Sequence, residues 1–345
     1  ATEESFERMK EKRSKLTREW QENLRNIGYG RELNQKLEEA GAVAIFQSYW
    51  SQGFGANKIF GANTKTAPVV DLSLEDYGML YRMVQNGDIP EVYLRTESED
   101  LGKVPTFNTI ATIPGGEKAD EYIVLSAHYD SWDGGTGATD NATGSITMLE
   151  AARILKKVYP NPKRTIVVGL WGGEEQGLNG SAAFVEDNPE IAANLQALFN
   201  QDNGTGRVVN INGQGFLHSY EFLQRWLAAV PGEYRNHIQT TFPGTPSSGG
   251  SDHASFIAAG APAFFLSALN WSYYNYTWHT NIDTYDKIVF DDVRNNAILT
   301  AILAYMASED PESFPRDRAV LPLNPRTGEQ MNWPGPRTPN RTGNN

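Results

Sequence analysis

The run Tyr122–Ala127, YIVLSA, is apolar at almost every position and does not alternate. A strand with one wet face must alternate. One that does not must be covered on both faces, which points to a parallel sheet layered between helices. The same signature returns at Arg164–Leu170 (RTIVVGL) and, more briefly, at Ala197–Asn200. After the first run Asn141 and Thr143 can cap a helix whose Met148, Ala151, Ala152 and Leu155 share one face. The predicted fold is therefore α/β, a mixed, mostly parallel sheet flanked by helices.

Ligands bind at the carboxyl edge of such sheets, and here that edge carries acids and imidazoles. The first run delivers His128 and Asp130, and a Gly-rich loop brings Asp140 back to the same end. The second runs into Trp171-Gly-Gly-Glu-Glu-Gln-Gly, the third into Gln201-Asp202-Asn203-Gly204. His279 follows an aromatic loop in Trp278-His279-Thr280-Asn281. A lone H-x-D reads best as a core histidine with loop acids, but convergence of all these groups favours chemistry. Zinc binds imidazole nitrogen at ~2.0 Å and carboxylate oxygen at ~2.0 to 2.2 Å, and a catalytic ion keeps one position open. Two histidines and three carboxylates exceed one such ion and suit two ions sharing a bridging carboxylate. The sequence has no cysteine, so the donors are nitrogen and oxygen, which leaves manganese or cobalt as substitutes. One of the paired glutamates then remains free to act as a base.

In order along the chain stand H-x-D, D-N, G-E-E-x-G-x-x-G-S, a strand ending in D, G-G-S-D-H-x-x-F and H-T-x-x-D-x-x-D. This series resembles the co-catalytic di-zinc exopeptidases, the twenty-eighth metallopeptidase family. Asp202-Asn-Gly-Thr-Gly and Trp278-His-Thr-Asn-Ile-Asp-Thr-Tyr-Asp286 resemble its carboxypeptidase Q-like branch. The likeness covers roughly Thr106 to Ser308. It implies that His128 and Asp202 hold one zinc, Glu175 and His279 the other, and that Asp140 bridges them. It also implies Glu174 as the base that deprotonates a metal-bridged water. Asp130 would accept a hydrogen bond from the second ring nitrogen of His128, as metal-bound histidines usually require. The implied activity is hydrolysis of a peptide or dipeptide at a chain end, as an aminopeptidase, carboxypeptidase or dipeptidase. A secreted or periplasmic location comes with the resemblance, as does further sequence upstream of Ala1; a homodimer is compatible with it.

The remaining chain narrows the alternatives. The net charge of −12 argues against nucleic acid, which calls for a basic face. No window approaches the ~20 apolar residues of a membrane span. No G-x-G-x-x-G opens a helix and no glycine run leads into G-K-[ST], which removes nucleotide binding. Residues 3–27 read as a solvated helix with matched charges, Gly41–Phe46 and Ala67–Leu72 as buried strands, and Ser73 with Asp76 as the start of a helix ending near Gly87. Val92–Leu94 would begin another strand. This part, 1–104, resembles the later half of a protease-associated insert domain. Residues 105–308 would form the catalytic domain, entered by a hairpin from Asn108–Ile113 through Pro-Gly-Gly. Residues 309–345 are a Pro-rich tail, expected to be disordered or loosely docked after Leu323.

Gly249-Gly250-Ser251-Asp252-His253 nearly matches a serine-hydrolase elbow, but its fifth residue is histidine and no apolar strand precedes it. Asp252 and His253 are candidate substrate-side groups. The aromatic loop Trp271–Trp278, with Tyr276, is a candidate substrate wall or plain core. Two rival functions share the fold: a catalytically silent binding protein, and a single-zinc acyltransferase or cyclase.

Overall fold

The computed structural model describes residues 2–26, 31–49, 56–99, 101–324 and 328–341. Two compact units make up the chain, one from Ala1–Trp50 and Asn57–Glu99, the other from Ser51–Ala56 and Asp100–Asn345.

The first unit opens with α1 (Glu3–Asn26), a helix with no buried residue, whose charges pair along its surface as Arg8–Glu4, Lys10–Glu7 and Lys15–Glu19. Next comes α2 (Arg31–Glu39). Near its end, Glu38 accepts the amide N–H of Lys65, Thr66 and Ala67 and the Thr66 hydroxyl. Those backbone bonds hold its carboxyl down at about 2. Strands β1 (Ile45–Gln47) and β2 (Val69–Asp71) pair in parallel and are only half-buried. Ser73 caps α3 (Leu74–Gln85) by accepting the Asp76 N–H at 3.1 Å. Val92–Leu94 is not the strand its sequence suggests. Val92 instead lines an apolar groove with Phe46, Tyr77, Tyr81 and Val84.

The second unit carries β3 (Thr109–Ile113), β4 (Lys118–His128), α4 (Thr143–Val158), β5 (Arg164–Trp171), α5 (Asn179–Asp187), α6 (Pro189–Ala193), β6 (Leu195–Asn200) and β7 (Val208–Asn212). It continues through α7 (Ser219–Ala228), α8 (Gly232–Arg235), β8 (Gln239–Thr241), α9 (His253–Ala258), β9 (Ala263–Ala268) and α10 (Phe290–Glu309). One sheet has the order β3-β5-β4-β6-β9-β7-β8. Within it β4, β5, β6 and β9 run parallel, β3 pairs antiparallel with β5 and β7 antiparallel with β9, and the edge strand β8 runs parallel to β7. The fold is thus the mixed, mostly parallel α/β sheet that the apolar runs require. The expected hairpin is absent: both sides of β4 are taken by β5 and β6, so β3 crosses to the far side of β5. One face buries Met148, Leu155, Phe199, Trp226, Phe264 and Leu303, and the other Val124, Trp171, Phe184 and Phe256.

Two charged or irregular features are absorbed into this core. Arg164, fully buried at the start of β5, bonds Glu121 and donates to the carbonyls of Ala307, Ser308, Asp310 and Glu312, meeting groups that a helix end leaves unpaired. Of the two expectations for the tail, disorder or loose docking, the described residues 328–341 show docking. Trp333 lies against Phe216 at 5.5 Å and donates to the Ala319 carbonyl, and the Asn340 N–H reaches the Asn179 side chain. No helix among the described residues is long and apolar enough to cross a membrane.

Candidate metal centre

Because β5, β4 and β6 are adjacent and parallel, their carboxyl ends lie side by side. His128 is the last residue of β4, Glu174 and Glu175 lie in the turn after β5, and Asp202 stands two positions beyond β6. Asp140 comes from an irregular turn, Ala138–Ala142, whose backbone is non-helical at Asp140 and Asn141 and which leads into α4. His279 follows a short helical turn, Tyr273–Thr277, and takes a left-handed φ of +57°.

Asp140 lies between two His–acid pairs. His128 Nε2 is 3.0 Å from Asp202 Oδ1 and 3.5 Å from Asp140 Oδ1. His279 Nε2 is 3.0 Å from Glu175 Oε2 and 3.6 Å from Asp140 Oδ2. Donors bonded at ~2.1 Å to one tetrahedral ion stand about 3.4 Å apart, so these separations suit a zinc ion in each pair. Glu174 joins His128 and Asp202 in a group whose ligand atoms all fall within 4.8 Å. Asp140 Oδ2 and Glu175 Oε1 are buried and make no hydrogen bond, as oxygens reserved for a cation would be.

Charge supports the same fit. Burial alone would lower His128, but Asp202, Asp130 and Asp140 around it raise it well above its ordinary range. Burial, reinforced by Asp202 and Glu175 and opposed by His128, raises Asp140 to about 6. Glu174 is pushed well above the usual carboxylate range by burial and by Asp202, Asp252 and Glu175, against the opposing pull of His128. At Asp202 burial acts upward, but His128 prevails and holds the carboxyl below its usual range. So many acids around two imidazoles form a site that favours a cation.

Asp130 acts differently from its expected place. The His128 Nδ1 partner is the Asp130 backbone carbonyl, at 2.9 Å, while the carboxylate stands 3.6 Å away. That carboxylate accepts the amide N–H of Glu174 and of Glu175, both at 3.2 Å, and so holds the turn carrying the two glutamates. The carbonyl still fixes the His128 tautomer that turns Nε2 toward the acids.

Asp252 and His253, at the start of α9, are fully enclosed. Burial raises Asp252 to about 7 and lowers His253 to about 4, its ring stacked on Phe265 at 4.9 Å. The neighbouring Ser251 accepts a bond from Asn200, two residues before Asp202. In the aromatic loop Tyr276 is exposed, and the Trp278 ring lies 4.0 Å from that of His279. Trp132, which sequence reasoning passed over, donates its indole N–H to Glu175 Oε2 at 2.8 Å and lies 5.8 Å from the His279 ring. Its place two residues after Asp130 was the only available signal.

The sequence model of Peptidase family M28 matches residues 108–304. Carboxypeptidase Q of Rattus norvegicus is 26% identical over 249 residues, 72% of this chain and 51% of that protein. The chain thus spans about half the length of the relatives it matches. The structure of a peptidase M28 precursor from Shewanella amazonensis SB2B superposes with a TM-score of 0.62 at 22% identity, over 80% of this chain and 62% of that one. BSAP, a zinc aminopeptidase from Bacillus subtilis, gives 0.56 at 21%, over 84% and 69%. With more than half its length matched by the family's own model, the chain belongs to Peptidase family M28.

Proposed function

We propose that the chain carries the catalytic centre of a zinc-dependent exopeptidase of the aminopeptidase or dipeptidase type. The observation that carries this reading is Asp140, with one carboxylate oxygen toward the His128–Asp202 pair and the other toward the Glu175–His279 pair. His128 and Asp202 would hold one ion, Glu175 and His279 the second, and Asp140 would be shared; manganese or cobalt could substitute. Zinc held there supplies a Lewis acid for the scissile carbonyl and lowers the pKa of water toward ~7.

The protein's own groups do the rest. Glu174, whose carboxylate is made a stronger proton acceptor by its buried, acidic surroundings, would take the proton of the attacking water and pass it to the leaving nitrogen. Asp130 holds the backbone of Glu174 and Glu175 so that the two side chains diverge. Tyr276, which is exposed, would stand on the substrate side, whereas the enclosed Asp252 and His253 would act from behind the site, Asp252 on Glu174 and His253 on Asp202. The substrate is a peptide or dipeptide, and the word precursor in the name of the Shewanella protein supports a secreted or periplasmic location.

The test combines elemental analysis with a panel of dipeptides and aminoacyl substrates on zinc-loaded protein. Two ions per chain and hydrolysis of at least one substrate are expected. Glu174→Gln should retain both ions and lose ~10²- to 10⁴-fold in turnover. A single ion at saturation, or a Glu174→Gln variant as active as the parent, would overturn the reading.

A further inference from the structure

The segment that delivers Asp140 and the segment that delivers His279 are joined along one seam, and one side chain makes most of it. Asp283 is 3% exposed. Its carboxylate accepts the amide N–H of Thr139 at 2.8 Å through Oδ1 and of Asp140 itself at 2.9 Å through Oδ2. Its backbone carbonyl accepts from the Thr136 N–H at 2.9 Å and the Thr136 hydroxyl at 3.1 Å. Thr139 and Thr277 bond through their hydroxyls at 2.8 Å. Backbone approaches so closely at Gly135 that a Cβ there would lie 2.9 Å from the Thr280 carbonyl oxygen and 3.1 Å from that of Asp283.

Asp283 has no part in the proposed chemistry. It touches neither His279 nor the Asp140 carboxylate in any of these bonds; it grips backbone on one side and sits four residues past His279 on the other. We infer that Asp283 is a positioning residue that sets the spacing between Asp140 and His279 and so governs how tightly the ion between them is held. This rests on the metal reading of the site but goes beyond it, because it separates the two ions. The Glu175–His279 position depends on the seam at Asp140 and at His279. The His128–Asp202 position depends on it at Asp140 alone, since His128 and Asp202 are fixed at the ends of β4 and β6. Loosening the seam therefore releases one ion first.

Replacing Asp283 by Asn preserves shape but turns an amide NH₂ toward one of the two N–H donors. Outer partners of metal ligands typically govern 10- to 100-fold in affinity. Zinc should be titrated against a chelator for the parent and for Asp283→Asn, with the visible spectrum of the cobalt-loaded proteins recorded alongside. One of the two ions should bind about tenfold or more weakly, with its cobalt band altered, while the other shifts less. Turnover should fall more than KM changes. Gly135→Ala acts on the same seam without altering a carboxylate, and should weaken the same ion if Asp283→Asn does not fold. Asp286→Asn is the control. Asp286 belongs to the same motif but is exposed and, among the described residues, bonds Thr284 and Lys287 on its own loop, so both affinities should stay as in the parent. If folded Asp283→Asn or Gly135→Ala binds both ions like the parent, the inference is wrong while the exopeptidase reading stands. A parent that takes up no metal would overturn that reading, and this inference with it.

Discussion

Strands β2 and β5 have similar local chemistry and different fates. Val69-Val70-Asp71 is at most half-buried, whereas every residue of Arg164–Trp171 is enclosed. β2 has a single partner, β1, while β5 lies between β3 and β4 in a seven-stranded sheet. The contrast extends to helices: α1 buries nothing, and α10 buries Val293, Leu299, Leu303, Ala304 and Ala307. An apolar run thus records a capacity for burial. How much of it is realised depends on how many neighbours the rest of the chain supplies.

The largest expected effect tests that contrast on two aromatics. Phe199 is fully buried in β6 and Tyr81 on α3 is 56% exposed. Phe199→Ala should cost about 3 to 5 kcal/mol, and Tyr81→Ala about 0.5 kcal/mol or less, read from urea unfolding. Equal losses would mean that the first unit is as tightly packed as the second.

A smaller effect sharpens the picture of how the first unit holds together with so little core. Glu38 has its carboxyl lowered from the ordinary 4.5 to about 2 by three backbone N–H donors. A group lowered in the folded state contributes stability that is complete above about 4.5 and fades as pH falls toward about 2. Hydrogen exchange at Lys65–Ala67, corrected for intrinsic rates, should be faster in Glu38→Gln than in the parent at neutral pH, and the two should converge near the low limit. A difference that persists there would assign the effect to something other than ionisation.

Much of the second unit was legible because parallel strands buried on both faces leave an unmistakable pattern, and because His128, Glu174, Glu175 and Asp202 follow such strands immediately. What escaped was decided by distant partners. Pro114-Gly115-Gly116 looks like a hairpin turn, but pairing was settled by β5 and β6 occupying both sides of β4. Val92–Leu94 has strand composition and no ladder to join. Tail composition left disorder and loose docking open, and the place that Trp333 takes against Phe216 decided between them. Asp283 was visible within a motif, but the backbone groups it grips lie 143 and 144 positions earlier.

Arg164 ties folding to the order of synthesis. Its guanidinium leaves the ribosome 143 residues ahead of the first α10 carbonyl that it bonds. Until then β5 can enter the sheet only with Arg164 paired to Glu121 and short of its carbonyl partners, a penalty of about 1 to 3 kcal/mol for each buried donor left unsatisfied. The nascent sheet should therefore wait for the chain's later segments, and its central strands should remain open to chaperones during most of translation. Ribosome-bound chains stalled at Leu299 should lose β4 and β5 to protease, and chains carried past Gln330 and clear of the exit tunnel should resist. Equal protection at both lengths would show that the sheet closes without waiting for α10.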